Sequence, residues 1–172
     1  MFALLITGPP GSGKSEVAAS LHDSLGDQGI DAALLEVDAL ERSHPPIERT
    51  RAVSHLSMLA ASYSELGTGL LVITATIEDD DYLRDALGAA GADEHLVLRL
   101  EADPETLRER ILAREPPGWG GLPELLNASR RLAATMESLA GVDGVIGTEG
   151  EQPAAVAAQV EAMLRERGVI PG

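Results

Sequence analysis

Apolar residues occur along this chain in short runs that alternate with longer segments of helical periodicity. Runs rich in Leu, Ile and Val predict buried strands, and apolar positions three or four residues apart predict helices that pack against them. We predict strands over Phe2–Thr7, Ala32–Val37, Gly69–Thr76, His95–Leu100 and Gly144–Thr148. This alternation is typical of an α/β domain with a mainly parallel, buried sheet.

Helices are predicted between these strands. One begins in the loop after the first strand, and a longer one covers roughly Ile47–Leu66. Another opens at Asp103, a residue type that often caps helices, with Pro104 at the first helical position. The last begins at about Gln152. With 172 residues and no long linker, the pattern indicates a single domain over residues 1–172.

A glycine-rich motif, G-x-x-x-x-G-K-S, joins the first strand to the first helix. Glycines let the backbone curl so that several amide hydrogens point at one phosphate, and the helix that follows adds its positive end. In such a loop the lysine bridges the β and γ phosphates and the serine hydroxyl ligates Mg²⁺. The predicted nucleotide-binding residues of the motif are Gly8, Gly11, Ser12, Gly13, Lys14 and Ser15.

Charge and composition narrow the function further. The formal net charge of −15 argues against nucleic acid or an anionic membrane as partner, because phosphate contacts need clustered Lys and Arg. There is no cysteine, and no apolar run is long enough to span a bilayer. The apolar start runs straight into the glycine loop, so it reads as a strand and we expect a cytoplasmic protein. The only lysine in the chain is Lys14.

With this loop in this setting, the chain resembles the P-loop kinases of small molecules and nucleotides. That group includes adenylate, shikimate, gluconate and adenylylsulfate kinases and chloramphenicol phosphotransferase. The resemblance implies a three-layer P-loop NTPase fold, with a five-stranded parallel sheet flanked by helices. It also implies a short lid near residues 115–121, ATP as phosphoryl donor, Mg²⁺ as cofactor and a small-molecule acceptor.

Asp38 follows the second predicted strand and so lies at the carboxyl edge of the sheet, where open α/β folds bind their ligands. In the kinases that the chain resembles, an Asp here binds Mg²⁺ through water or accepts the proton of the attacking hydroxyl. Both roles remain open, and so does a simple capping role. On the resemblance, Ser15 and Asp38 are the expected metal-binding residues.

Arg110 and Arg114 are four residues apart and therefore share a face of the helix that leads into the predicted lid. In adenylate kinase-like enzymes, the first arginine of such a pair stacks on adenine and the second reaches the transferring phosphates; the alternative is a solvated face. At most one of Arg130 and Arg131 is expected to face the site. The resemblance also places the base near Thr148.

Departures from the kinase pattern qualify the prediction. The third strand carries Thr74 and Thr76 where many P-loop NTPases have a Walker B Asp, and an Asn-Lys-x-Asp guanine element is absent, which favours adenine. An anionic acceptor would be held by Arg42 or Arg51. The Asp-Gly-Phe-Pro-Arg acceptor signature of nucleoside monophosphate kinases is also missing.

The sequence therefore predicts an ATP-dependent phosphotransferase that moves the γ-phosphate to a hydroxyl of a small molecule. The expected catalytic residues are Lys14, Asp38 and Arg114. Two alternatives remain: a nucleotide-binding regulatory ATPase that acts through a protein partner, and an atypical nucleoside monophosphate kinase.

Overall fold

The chain folds around a five-stranded, fully parallel sheet with the strand order β2-β3-β1-β4-β5. The structure is a computed structural model that describes residues 1–172. The strands are β1 (Phe2–Thr7), β2 (Ala32–Glu36), β3 (Leu70–Thr74), β4 (Glu94–Glu101) and β5 (Gly144–Gly147). The predicted α/β fold class and the five-stranded parallel sheet are confirmed.

Seven α-helices connect the strands and cover the sheet. They are α1 (Lys14–Asp27), α2 (Val37–Leu40), α3 (Arg49–Glu65), α4 (Asp80–Ala90), α5 (Pro104–Arg114), α6 (Leu122–Thr135) and α7 (Pro153–Glu166), and a 3₁₀ turn, Met136–Ser138, follows α6. None of these helices is both long and apolar enough to cross a membrane.

The sheet is buried on both faces, which explains why its strands are continuous apolar runs. On one face it packs against the apolar sides of α3 and α4, which contribute Leu56 and Leu83 to the core. On the other face it packs against α1 and α7, through residues such as Leu21 and Val160. The sheet and the helices on its two faces are the three layers that the resemblance implied.

Three predicted strands end earlier than expected. The prediction carried the fifth strand to Thr148, but β5 ends at Gly147. The prediction carried the second strand to Val37, but that residue begins the short helix α2, which was not predicted. The prediction carried the third strand to Thr76, but β3 ends at Thr74. Beyond that point the amide of Thr76 bonds to a side chain, Asp38, and not to the neighbouring strand.

Because all five strands are parallel, their carboxyl ends meet at one edge of the sheet. The central strand β1 leads into the glycine loop, β2 leads to Asp38, and β5 leads to Thr148. Residues far apart in sequence are thereby placed at one edge of the sheet, where open α/β folds bind ligands.

Candidate functional site

The glycine loop has a backbone that only glycine can adopt at several positions. Gly8, Gly11 and Gly13 have φ angles of 152°, 89° and 92°. A Cβ on Gly8 would lie 2.5 Å from the carbonyl oxygen of Leu100, and one on Gly11 would lie 2.7 Å from that of Leu107. The loop is therefore pressed against β4 and α5, and it runs directly into the first turn of α1.

Two polar side chains in this loop are buried without full compensation. The hydroxyl of Ser12 is buried and has no hydrogen-bond partner. The ammonium group of Lys14, whose residue is only 8% exposed, donates to the carbonyl oxygen of Gly8 at 2.9 Å. A curled glycine backbone, an unpaired hydroxyl and a buried cation together fit a phosphate group.

The charge on Lys14 is set by its surroundings. Burial lowers the pKa of its ammonium group, and the positive charge of Arg114 lowers it further. The carboxylates of Asp38 and Glu16 act in the opposite direction and raise it. An anion bound beside this ammonium group would compensate a charge that burial otherwise destabilises.

A cleft of about 390 Å³ lies between the glycine loop, α5 and the start of α7, where the sequence predicts the nucleotide. Arg110 spans its floor, donating to the hydroxyl of Thr148 at 2.9 Å and to the carbonyl oxygen of the same residue at 2.6 Å. It also donates to the carbonyl oxygen of Gly11 at 3.3 Å. The structure thus brings together Arg110, Thr148 and the glycine loop.

Arg114 lines the same cleft, one turn further along α5. Its guanidinium is about half exposed and is paired with the carboxylate of the next residue, Glu115, at 2.7 Å. Residues 115–121, the predicted lid, connect α5 to α6. Within them the ring of Trp119 packs against Gly121 and remains 46% exposed.

A contact that sequence reasoning missed fixes α6 to the glycine loop. The buried hydroxyl of Ser129 donates to the carbonyl oxygen of Pro10 at 2.7 Å. Ser129 and Leu132 are the buried residues of α6, and nothing in the sequence indicates such a role for Ser129. The helix that follows the predicted lid is therefore attached directly to the loop.

On the predicted acceptor side, Asp38 is the second residue of α2. The strand predicted there ended one residue earlier, at Val37. Its carboxylate accepts two hydrogen bonds from Thr76, one from the amide at 3.0 Å and one from the hydroxyl at 2.8 Å. Thr76 was noted in the sequence only as a replacement for a Walker B Asp. The sequence feature that could have pointed to Thr76 is its position just past β3, at the carboxyl edge of the sheet.

Beside Asp38 lies a polar cluster that the sequence did not reveal. The hydroxyl of Tyr82 donates to Glu41 at 3.0 Å, and the guanidinium of Arg49 lies 4.9 Å from the Tyr82 ring and 2.9 Å from Asp79. Burial raises the pKa of Glu41. The hydrogen bond from Tyr82 lowers this pKa, and the neighbouring carboxylate of Asp38 raises it. Burial and Glu41 together raise the pKa of Tyr82.

The remaining predicted arginines lie at the surface. Arg42 follows α2 and Arg51 lies in the first turn of α3; both are exposed, and neither side chain makes a hydrogen bond or ion pair. Arg131 approaches the carboxylate of Glu78 at 4.0 Å, whereas Arg130 donates to the side chain of Asn127 at 3.4 Å. Substrate binding by Arg42 or Arg51 stays a prediction.

Ser15 and Asp38 offer the oxygen ligands that Mg²⁺ prefers, a hydroxyl and a carboxylate. Ser15 is exposed in the first turn of α1, and Asp38 is exposed in α2, at the same edge of the sheet. Asp38 also acts electrostatically on Lys14. The donor set therefore fits a magnesium ion that keeps part of its water shell.

The fold and the glycine loop define the class to which this chain is similar: the P-loop kinases of small molecules. A sugar kinase from a Janibacter species shares 21% identity, covering 99% of this chain and 96% of that one, with a TM-score of 0.70. The APS kinase of Mycobacterium tuberculosis, in complex with AMPPNP and APS, shares 19% identity over 95% and 96% with a TM-score of 0.68. Shikimate kinase from Acinetobacter baumannii, in complex with shikimate, shares 18% over 96% and 93% with a TM-score of 0.60.

The chain itself belongs to the family described as AAA domain, whose model matches residues 4–137. That range includes the glycine loop, Asp38, Thr76, Arg110 and Arg114. No curated protein matches the sequence. The structural similarities, all below 25% identity, define the fold.

Proposed function

We propose that this protein is an ATP-dependent kinase that transfers the γ-phosphate of Mg-ATP to a hydroxyl of a small molecule. The single observation that carries the proposal is the convergence of three predicted catalytic groups. The parallel sheet brings the loop that holds the buried ammonium of Lys14 and the residue Asp38, just after β2, to the same edge. Arg114 lines the cleft beside Gly11, Ser12 and Gly13 of that loop.

Each group would have a distinct task in the transfer. The glycine loop and Lys14 would hold the phosphates of ATP, while Arg110 and Thr148 form the floor of the cleft for the base. Asp38 would orient the acceptor hydroxyl, and Arg114 would bind the phosphoryl group as negative charge develops on it. Mg²⁺, held by Ser15 and Asp38, would supply charge neutralisation. Positioning and electrostatic stabilisation of this kind account for most of phosphoryl-transfer catalysis.

The acceptor is proposed only as a hydroxyl-bearing small molecule. The comparison structures include kinases of a sugar, of APS and of shikimate, so the fold accommodates chemically different acceptors. If the acceptor is anionic, Arg42 or Arg51 would be the group that binds it. A panel of candidate acceptors is therefore the direct test.

The test measures ADP formation from Mg-ATP over a panel of sugars, sugar acids, nucleosides, nucleoside monophosphates and aminoglycosides. The wild type is expected to form ADP at a rate that one acceptor class stimulates, and Lys14→Ala to lose that rate by at least about 100-fold. Arg108→Ala is the matched control, because Arg108 lies on α5 but pairs with Glu105 at the surface.

Other outcomes would separate the alternatives. Stimulation by nucleoside monophosphates alone would identify an atypical nucleoside monophosphate kinase. Slow hydrolysis that no acceptor stimulates would favour a regulatory ATPase. Equal rates for Lys14→Ala and the wild type would contradict the proposal altogether.

The role of Asp38 is tested separately. Asp38→Asn should lower the transfer rate by about 100-fold or more while Mg-ATP affinity changes far less, because the carboxylate orients the acceptor. Asp81→Asn is the control, since Asp81 is exposed and pairs with Arg84 on α4. Equal losses of rate and affinity would make Asp38 a structural group or a metal ligand only.

A further inference from the structure

Thr76 lies two residues past the end of β3, and it contacts Asp38 with both of its donors. Its amide lies 3.0 Å from one carboxylate oxygen of Asp38, and its hydroxyl lies 2.8 Å from the other. Two bonds from one residue fix both the position and the rotation of a carboxylate.

The segment that carries Thr76 is itself anchored to the strand that leads into the glycine loop. The amide of Ala75 donates to the carbonyl oxygen of Ile6 at 3.2 Å, and the amide of Ile77 donates to the hydroxyl of Thr7 at 3.1 Å. Thr7 is fully buried and directly precedes Gly8. Hydrogen bonds thus link the base of the phosphate loop, through residues 75–77, to Asp38.

Little else holds Asp38 in place. It lies on α2, a helix of only four residues whose N-terminus has no side-chain cap, and the side chain is exposed. Glu41 is a charged neighbour of Asp38. The charges of Asp38 and Glu78 both help to raise the pKa of Glu41, so these carboxylates repel one another. Without Thr76, repulsion and solvent would leave the Asp38 carboxylate free to rotate.

We infer that Thr76 is the positioning residue that fixes the carboxylate of Asp38 relative to the phosphate loop. The inference rests on the proposed function, in which Asp38 orients the acceptor hydroxyl. A carboxylate oxygen can accept more than one hydrogen bond. The oxygens that Thr76 orients therefore keep lone pairs for an acceptor hydroxyl or for water on Mg²⁺. Thr76 itself would contact neither substrate.

The experiment compares Thr76→Val with Thr76→Ser. Valine keeps the shape and the backbone donor but removes the hydroxyl, whereas serine restores the hydroxyl. Measurements are the rate of ADP formation from Mg-ATP, with the acceptor found in the panel or with water, and the affinity for a fluorescent methylanthraniloyl-ATP. Thr106→Val is the matched control, because the Thr106 hydroxyl donates to Asp103 at 2.6 Å in the cap of α5.

We expect Thr76→Val to lower kcat by about 10- to 100-fold, the loss expected when a reacting group is misplaced by about 1 Å. The KM for Mg-ATP and the fluorescent nucleotide affinity should stay within about twofold, and Thr76→Ser should recover most of the rate. In an Asp38→Asn background, Thr76→Val should cost little more, because the group that it positions has lost its function.

Three results would overturn the inference alone: a wild-type kcat in Thr76→Val, a parallel loss of nucleotide affinity, or no recovery with serine. If Thr76→Val does not fold, as judged by circular dichroism, Thr76→Ala against Thr76→Ser gives the same comparison. A wild type with the same turnover as Lys14→Ala, assayed alongside, would overturn the proposed function and this assignment with it.

Discussion

At the mouth of the nucleotide cleft, the guanidinium of Arg114 is bound by the carboxylate of its sequence neighbour. Glu115 accepts from the Nε atom at 2.8 Å and lies 2.7 Å from a terminal nitrogen. For Arg114 to contact a phosphate, it has to exchange this carboxylate for the phosphate oxygens. If Arg114 binds a phosphate as proposed, Glu115 competes with the nucleotide for the same cation.

Removing that competition should strengthen nucleotide binding. Glu115→Gln is expected to lower the Kd for methylanthraniloyl-ATP by about two- to fivefold, which corresponds to the strength of a partly exposed ion pair. The control is Glu105→Gln, which breaks the equivalent pair with Arg108 on the same helix at 2.9 Å. An unchanged or weaker affinity in Glu115→Gln would show that Arg114 does not exchange partners.

Some functional residues could be predicted from the sequence, and others could not. The glycine loop was predictable because its function demands particular residues in a fixed order. Thr76 was not predicted as a partner of Asp38, since the two are far apart in sequence and meet only where β2 and β3 pair in parallel register. Tyr82 and Glu41 were missed for the same reason.

Among the elements, α6 is joined to the phosphate loop by a hydrogen bond from one of its side chains. It starts immediately after the predicted lid and carries Ser129, whose hydroxyl bonds to the carbonyl oxygen of Pro10. A movement of the loop at residues 115–121 would act on the glycine loop through this contact. The hydrogen bond is buried, so its loss leaves a carbonyl without its partner.

Ser129→Ala should therefore destabilise the protein by about 1 kcal/mol and weaken nucleotide binding. Urea unfolding and titration with methylanthraniloyl-ATP measure the two effects. Ser138→Ala is the matched control, because the exposed Ser138 hydroxyl also donates to a backbone carbonyl, that of Thr135, at 2.8 Å. A loss of stability with unchanged affinity would confine Ser129 to a structural role.

The elements themselves were largely predictable because periodicity reports burial directly. The longer helix predicted for Ile47–Leu66 is α3, Arg49–Glu65, and the cap at Asp103 starts α5 as expected, with its carboxylate accepting from Thr106. The four-residue α2 was not predicted, because it has one buried residue, Val37, and no cap. So short a helix depends on tertiary contacts, and periodicity carries no sign of it.

Across the whole molecule, the helix after the phosphate loop and the final helix are joined by one buried carboxylate. Glu161 on α7 is 7% exposed and accepts from Ser24 of α1 and from Gln28, the residue after α1, each at 2.8 Å; it also pairs with Arg165. The hydrogen bond from Gln28 is the main cause that lowers the pKa of Glu161, with Ser24 and Arg165 adding to it against burial. The network holds α1 and α7 together on one face of the sheet.

This lowered pKa makes a prediction about stability and pH. Because the folded state favours the ionised form, Glu161 contributes its full stability above its ordinary pKa of 4.5, and the contribution is lost as the pH falls through the lowered value. Glu161→Gln should therefore cost about 1–2 kcal/mol at pH 7, and the difference from the wild type should shrink at pH values below that range.

Urea unfolding of both proteins from pH 7 to pH 3 measures this difference. Comparing the two curves is necessary because the chain carries a net charge of −15, and acid relieves its overall repulsion in wild type and variant alike. Glu166→Gln on the exposed face of α7 is the control. A difference that stays constant as the pH falls would mean that the Glu161 network stabilises the protein through packing and not through its charge.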